Sequence, residues 1–367
     1  MGLIRFLLAC IVVLCHTSAL FGYSALPADL TVQCFYIISG FYMSLILNEK
    51  YQKGSNKLFY RNRVLKIYPI YWLVLTLLIV WGSFVYFLGY PGTIWFYAYA
   101  APLSLTTWLY LIIANILIIG LDLTFILGIN KGHLFFTKNF GLSKPNVYLF
   151  GFNSFGWTIG IELLFYLIAP FILRKSLFLI LLILFGSLLL RYLLAVNGLS
   201  GHPWDYMFFP TQLMFFMGGC LSYHIYLRVS KASLNINFLK FKFTLLLAII
   251  VLYNYLFLNT YYTQAFLFIV LILCIPAAFI LSKNNAIDRY LGNLSYPIYI
   301  SQMLIINITR AKAFPKIFGY GFTTLIIVII LSILLEYFIT KPIERIRQNP
   351  FKKHLRAYNL VSVIGHE

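Results

Sequence analysis

Charge is scarce in this sequence, and acidic residues are the scarcest. Nine of the 367 residues are Asp or Glu, and 10% are charged in all, against about 25% in soluble domains. In their place, 62% of the residues are hydrophobic. This composition is typical of a polytopic membrane protein and leaves no stretch for a separate soluble domain.

Metal and cofactor motifs are also missing. The five cysteines are scattered through apolar segments, without a C-x-x-C pair or a metal-ligand spacing, so we expect small buried apolar residues there. The chain has neither a P-loop nor a G-x-G-x-x-G sequence. We therefore predict no metal site and no permanently bound cofactor. The first apolar segment lacks a convincing cleavage site and is not expected to be a signal peptide.

Basic residues are plentiful but unevenly placed. The 28 lysines and arginines give a net charge of +19. Several lie in residues 48–66, whereas residues 24–29, 89–104, 197–207 and 259–263 have none. By the positive-inside rule, this asymmetry predicts that residues 48–66 and both termini are cytoplasmic and that the basic residues contact membrane lipids. Nucleic-acid binding is not expected.

Apolar segments follow one another along the chain, most of them close to the ~20 residues that a bilayer requires. They lie near residues 3–23, 30–47, 67–88, 105–129, 155–173, 176–196, 208–227, 243–258, 264–281, 292–309 and 319–339. A full crossing by 105–129 would put Arg174 and Lys175 on the outer side. We therefore predict a re-entrant segment there, although the lysines after it would then lie outside. The predicted fold is an all-α polytopic membrane protein with about ten transmembrane helices.

The first segment, residues 5–21, carries Arg5 near its start and His16 in its middle. Eleven residues of helix return to nearly the same face, about three turns and ~16 Å along the axis. An ionisable side chain at mid-bilayer depth is costly and indicates a functional site that faces the protein interior. The structural alternative is a hydrogen-bonded packing histidine.

The second and third segments offer two further candidates. Ser39 and Gly40 interrupt an aromatic run, which indicates either a close helix crossing or space for a ligand. Arg61, Arg63 and Lys66 stand where the cytoplasmic loop meets the third segment. They fit positive-inside anchoring, and they equally fit a phosphate site, because guanidinium and ammonium groups bind polyanions.

Glu162 lies inside an apolar run. A buried carboxylate must be protonated or paired, and its candidate partners are Arg191, Arg5 and His16. A structural ion pair and a catalytic group both fit this pattern.

A late segment, residues 290–302, carries the polar residues Ser295, Tyr296, Tyr299 and Gln302. These side chains are expected either to line a cavity or to form interhelical hydrogen bonds.

Together these stretches resemble acyltransferase family 3, the integral-membrane O-acyltransferases that modify bacterial surface sugars. The resemblance runs from about Arg5 to Arg347. Five family motifs occur in the family's order, at Arg5 to His16, 35–41, 66–69, 157–166 and 295–299. The chain would then consist of a family transmembrane domain, 1–345, and a basic cytoplasmic tail, 346–367, as in the stand-alone members.

Four positions depart from the family pattern. Lys66 stands in the place of Arg, Thr158 in that of Ser, Gln302 in that of a frequent His, and Gln33 in that of a frequent Asp. The last two put substrate contacts in question, but neither touches the Arg-His pair.

The resemblance implies acetyl-CoA, used from the cytosol, as the donor. It implies a sugar hydroxyl of a lipid-linked or surface polysaccharide, such as O-antigen lipopolysaccharide or exopolysaccharide, as the acceptor. The location would be the bacterial cytoplasmic (inner) membrane. Arg5, Arg61, Arg63 and Lys66 would bind the donor's phosphates, and the ~16 Å from Arg5 to His16 is comparable to a pantetheine arm. The sugar, its hydroxyl and an acyl group larger than acetyl stay open.

Two chemical routes are compatible with the sequence. His16 either acts as general base for the acceptor hydroxyl or receives the acetyl group and passes it on. Glu162 would orient or charge-balance the imidazole. Substrate or oxyanion contacts would come from Ser39, Tyr296, Tyr299 and Gln302. The alternatives are a lipid-linked sugar transporter or flippase without acyl transfer, and a non-catalytic subunit with the same fold.

Overall fold

The computed structural model describes residues 1–19, 25–51, 55–99, 102–232, 235–311 and 314–347. Most of the predicted tail, 346–367, lies outside these ranges. The described residues form twelve α-helices: α1 Gly2–Cys15, α2 Ala28–Glu49, α3 Asn56–Phe87, α4 Thr93–Tyr99, α5 Leu105–Leu117, α6 Gly156–Ile172, α7 Leu177–Val196, α8 Phe209–Val229, α9 Ile236–Leu256, α10 Tyr261–Ser282, α11 Ala286–Thr309 and α12 Tyr320–Leu335.

The all-α polytopic fold is confirmed. Six helices of the described part are long and apolar enough to cross a membrane: α2, α3, α7, α9, α10 and α12, which continues through a π-helical turn, Glu336–Thr340, to Arg347. The shorter or more polar helices α1, α6, α8 and α11 pack among them. Helix α2 is largely buried inside the protein, whereas α7 is largely exposed, as expected of a helix that faces lipid.

The crossing of α2 and α8 is close because glycines meet there. A Cβ atom at Gly40 would lie 2.0 Å from the backbone oxygen of Phe216, and one at Gly219 would lie 1.9 Å from that of Ile37. Both glycines therefore allow backbone contact between the helices. Gly40 serves the helix crossing, and its neighbour Ser39 lines a cavity, so the two predicted uses of this pair occur side by side.

Helix α1 ends earlier than the sequence suggests. His16 is its C-terminal cap, and the backbone N–H of His16 bonds to the carbonyls of both Val12 and Val13, which tightens the last turn. The helix therefore spans 14 residues, about 21 Å. The predicted placement of His16 in the middle of a continuous helix over 5–21 is wrong. Residues 20–24 lie outside the described ranges.

The predicted re-entrant stretch 105–129 is not one helix. Helix α5 has 13 residues, too few to cross a bilayer, and the chain turns at Ile118, where φ is 68°. An antiparallel hairpin follows, β1 Leu127–Asn130 and β2 His133–Phe136, with Leu127 opposite Phe136. This region has a small apolar cluster of its own, which joins α5 to the hairpin and to residues 147–150.

Candidate functional site

A cavity of about 370 Å³ lies among α1, α2, α3, α6 and α11. We call it the cationic cavity because, among the described residues, seven basic side chains line it against two acidic ones. The basic residues are Arg5, Lys50, Arg63, Lys66, Lys283, Arg289 and Arg347. The acidic residues are Glu162 and Asp288. The excess of positive charge makes the cavity suited to a ligand with several negative charges.

Asp288 does little to offset this excess. Its carboxylate accepts hydrogen bonds from the amino group of Met1 at 2.9 Å, from the backbone N–H of Gly2 at 2.7 Å and from that of Leu3 at 2.9 Å. These bonds fasten the start of α1 to α11 at one end of the cavity. Because the carboxylate already has these partners, its role is to hold the start of α1, and it is not available to pair with the other basic residues of the cavity.

Glu162 is held by hydroxyl groups rather than by a cation. Ser39 Oγ donates to Glu162 Oε1 at 2.6 Å, and the Tyr166 hydroxyl donates to the same oxygen. All three residues line the cationic cavity. Hydroxyl donors stabilise a carboxylate without an ion pair, so the predicted pairing of Glu162 with Arg191, Arg5 or His16 is not what the structure shows.

Arg63 is buried, and no counter-ion for it lies among the described residues. It is 9% exposed, and its guanidinium lies 5.6 Å from the ring centre of Phe59 and 5.7 Å from that of Tyr166. Within the described part of the chain it forms no ion pair, and its Nε atom has no hydrogen-bond partner. A buried charge is costly unless it is paired. The geometry therefore leaves a place for an anionic group at Arg63.

The structure brings most of the predicted site residues together. Those that line the cationic cavity are Arg5, Lys66, Arg63, Ser39, Glu162, Tyr296 and Tyr299. Arg61 is exposed on α3 and does not line it. Gln302 is fully buried, and its Nε2 donates to the backbone oxygen of Tyr299 at 2.9 Å. Gln302 therefore supports α11 and does not reach the cavity.

His16 lies beyond one end of the cavity. Its ring meets the Phe155 ring edge-on, with centres 4.4 Å apart, and its Nδ1 lies 2.8 Å from the backbone oxygen of Val12. Phe155 precedes the cavity-lining Thr158 by three residues, about one turn of helix. A carbonyl oxygen only accepts, so Nδ1 carries the proton in the neutral ring and Nε2 keeps its lone pair.

Two hydroxyl groups mark this end of the cavity. The Tyr299 and Thr158 hydroxyls are 2.8 Å apart, and both residues line the cavity. The Tyr296 hydroxyl donates to the backbone oxygen of Ile67 at 2.8 Å and so ties α11 to α3. The cavity thus runs from cations at one end to hydroxyl groups close to His16 at the other.

The match to known families agrees with this geometry. The model of acyltransferase family 3, described as an acyltransferase domain, matches residues 1–341. The chain belongs to this acyltransferase family. No curated protein and no solved structure matches it. The protein is thus a multi-pass membrane acyltransferase, and the resemblance noted from its motifs is confirmed.

Sequence reasoning missed several residues of the acyltransferase's cavity. Lys283, Arg289 and Arg347 each stand near a helix end, where ordinary positive-inside anchoring already accounts for a basic residue. Tyr166 follows Glu162 by four residues, which places both on one helix face. That spacing is the signal from which their hydrogen bond was predictable.

Proposed function

We propose that this acyltransferase takes an acetyl group from acetyl-CoA bound in the cationic cavity and transfers it to a sugar hydroxyl of a cell-surface polysaccharide. The observation that supports this most is the set of seven basic side chains around one cavity. CoA carries several phosphate charges, and guanidinium and ammonium groups bind phosphate well. Arg63 supports the proposal most directly, because it is buried and has no ion-pair partner in the part of the chain that the structure describes.

The position of the basic residues supports a cytosolic donor. Lys50 follows α2, Lys283 follows α10, and Arg347 ends the extension of α12, so the cations gather at one end of several helices. By the positive-inside rule this end lies in the cytoplasm. Acetyl-CoA would enter the cavity from the cytoplasm without crossing the membrane. The protein would lie in the inner membrane of a bacterium, with both chain termini on the cytoplasmic side.

The length of the donor matches the length of α1. From Arg5 to His16 the helix and its cap extend about 16 Å, comparable to a pantetheine arm. With the phosphates near Arg5 and Arg63, the thioester would come to the end of the cavity marked by Thr158 and Tyr299. Their hydroxyls fit the role of donors to the developing oxyanion better than the enclosed Gln302 does.

The chemistry would pass through the free Nε2 of His16. In one route Nε2 removes the proton of the acceptor hydroxyl, whose oxygen attacks the thioester carbon while the CoA thiolate leaves and takes up a proton. In the other route Nε2 itself attacks the thioester carbon and expels the thiolate. The acceptor oxygen then attacks the acetyl carbon, the bond from that carbon to Nε2 breaks, and the hydroxyl proton passes to Nε2 and on to the thiolate. The place of His16 beyond the end of the cavity supports the second route.

Binding of CoA to purified protein tests the donor site. Arg63→Gln and Arg61→Gln each remove one cation from α3, but only Arg63 lines the cavity. We expect Arg63→Gln to weaken CoA binding about tenfold or more, the loss expected for a charge-assisted contact of about 1.5–3 kcal/mol. Arg61→Gln should leave the affinity within about twofold. Equal losses in the two variants would reject the cavity as the CoA site.

Transfer of labelled acetyl groups tests the reaction. Labelled acetyl-CoA without acceptor should leave the label on His16 if the second route operates, as read by peptide mass spectrometry. With membranes that contain surface polysaccharide, the label should pass to the sugar. Movement of sugar across the membrane without any label transfer would instead favour a transporter or flippase, a function that the family assignment disfavours.

A further inference from the structure

A second cavity lies at the opposite ends of the same helices. It has a volume of about 510 Å³, and we call it the polar cavity. Helix α10 begins there at Tyr261 and ends at Ser282, which lines the cationic cavity. Helix α2 likewise carries Asp29 of the polar cavity near its start and Ser39 of the cationic cavity further on.

The lining of the polar cavity is polar and aromatic with little net charge. It consists of Asp29, Gln33, Arg191, His202, Asp205, Tyr206 and residues of the segment 259–264. Carboxylate and amide groups hydrogen-bond to neighbouring hydroxyls of a sugar. Aromatic rings cover its C–H face while their own hydroxyls stay hydrated. Side chains of both kinds converge here, which fits a polyhydroxylated ligand.

A buried network holds these side chains in place. The Asp205 backbone oxygen accepts from Arg191 at 2.8 Å and from Gln212 Nε2 at 2.9 Å, and Gln212 Oε1 accepts from Gln33 Nε2 at 3.5 Å. Gln33 is 3% exposed and Gln212 is fully buried. His202 Nδ1 lies 3.1 Å from Asp205 Oδ1. The loop between α7 and α8, residues 197–208, carries His202 and Asp205 and covers the polar cavity. These bonds fasten it to α2, α7 and α8, so it presents a preorganised surface.

The charge of the polar cavity favours neutral over acidic sugars. Arg191 and, when it is protonated, His202 both face Asp205, so the Asp205 carboxylate offsets much of their positive charge. In the described residues Asp29 forms no ion pair. With no cation among those residues in direct contact with it, its carboxylate would repel a uronic or other acidic sugar and accept hydrogen bonds from a neutral one.

The polar cavity also adjoins the reacting end of the molecule. Tyr206 lines it and meets the ring of Trp157 edge-on, with centres 4.9 Å apart, and Trp157 is next to Thr158 of the cationic cavity. Cys15 donates from Sγ to the backbone oxygen of Leu26 at 3.1 Å. This bond fastens the end of α1, and so its cap His16, beside the start of α2.

We propose that the polar cavity binds the sugar unit that accepts the acyl group, and that this unit is neutral rather than acidic. Asp29, Gln33 and Gln264 would bond to its hydroxyls, and Tyr206 and Tyr261 would pack against its ring. The inference rests on the proposed acyl transfer to a sugar. It adds the place of the acceptor, on the face away from the cations, and the charge class of the acceptor.

Equilibrium binding without any donor tests this site separately from the reaction. The purified full chain in nanodiscs is mixed with a panel of disaccharides, some built of neutral hexoses and N-acetylhexosamines and some containing a uronic acid, and binding is read by saturation-transfer NMR. We expect neutral disaccharides to bind. Tyr261→Ala should weaken their binding about tenfold, as for loss of a stacking contact at an interface. Tyr255→Ala, an exposed tyrosine that does not line the cavity, should not.

Asp29→Asn gives a signature that a merely structural role would not produce. Without the carboxylate, the preference for neutral over uronic-acid disaccharides should shrink or reverse, while CoA binding stays as in the wild-type protein. If no disaccharide of the panel binds, or if Tyr261→Ala and Tyr255→Ala behave alike, the polar cavity is not the acceptor site. The CoA comparison of Arg63→Gln and Arg61→Gln would still decide the donor site, so the two proposals fail separately.

Discussion

The cationic and polar cavities share helices but differ in charge. Helices α2 and α10 each reach from one cavity to the other. Counting the described residues, seven basic side chains line the cavity at one end. Carboxylates, amides and tyrosines line the cavity at the other end, with one arginine that bonds to Asp205. In a membrane protein the two ends of a helix meet different solutions. The difference in charge between the two cavities therefore favours an anionic ligand at one end and a hydroxyl-rich ligand at the other.

His16 belongs to neither cavity, and this is the most informative part of the comparison. The end of α1 stands between the hydroxyl end of the cationic cavity and the start of α2, which carries Asp29 of the polar cavity. A group that takes an acyl unit from one side and gives it to the other has to lie between the two ligand sites. Removal of this group should abolish transfer and spare both bindings.

The largest expected effect follows from that position. In His16→Ala, acyl transfer should fall by about 10²–10⁴-fold, the range for loss of an acid–base or nucleophilic group. Binding of CoA and of a neutral disaccharide should each stay within about twofold. Single-turnover transfer and the two equilibrium titrations measure this. Thr17→Val, one residue further and bonded back to Val13, is the control and should keep its transfer rate. Transfer that survives in His16→Ala would reject the link between the cavities.

A substitution at the crossing of α2 and α8 should have a smaller effect, but it should weaken ligand binding at both cavities. In Gly219→Ala the new methyl group would lie 1.9 Å from the backbone oxygen of Ile37, and forcing the helices apart should cost about 1–3 kcal/mol. In Gly186→Ala on α7, the new methyl group would meet no atom of the described residues within 4 Å, and the helix gains about 1 kcal/mol of propensity. We expect opposite shifts of the melting temperature in detergent. Only Gly219→Ala should weaken both CoA and sugar binding, and a loss at one cavity alone would show that α2 does not couple them.

Much of the fold and of the cationic cavity was predictable because the signals are local. Segment length and hydropathy give the long helices, and the eleven-residue spacing sets Arg5 and His16 on one side of α1. The end of α1 was not predictable in this way. Apolar residues continue past His16 in the sequence, while the helix is closed by bonds of its last turn to Val12 and Val13.

The remaining differences depend on tertiary structure. Arg289 enters the cationic cavity because α11 packs along α1, and Arg347 does so because α12 continues beyond its π-helical turn. The partner of Glu162 was expected to be charged, but Ser39 comes within reach through the packing of α2 on α6. No pattern within a single segment predicts these contacts. The polar cavity is built from four separated segments and was not predicted from the sequence at all.

The smallest expected effect concerns pH and distinguishes the two ends of the molecule. The hydrogen bond from His202 to Asp205, reinforced by the charge of that carboxylate, raises the pKa of His202 above 6.5. Burial alone would raise the pKa of Asp205, but the bond from His202 and the charge of Arg191 outweigh it and lower this pKa. A raised histidine pKa stabilises the folded loop fully below pH 6.5, and this contribution disappears as the pH rises through the folded-state value.

Hydrogen exchange of residues 201–208 should therefore show less protection at pH 8 than at pH 6, after correction for intrinsic rates. Because the His202 side chain is 49% exposed, the difference should stay below about 1 kcal/mol. His202→Gln should show equal protection at both pH values. Residues 168–175, at the end of α6 where Arg174 donates to the backbone oxygen of the cavity-lining Tyr51, contain no histidine and serve as the internal control at the cationic end. A pH dependence that persists in His202→Gln, or one of equal size at both ends, would mean that the His202–Asp205 pair does not hold the loop over the polar cavity.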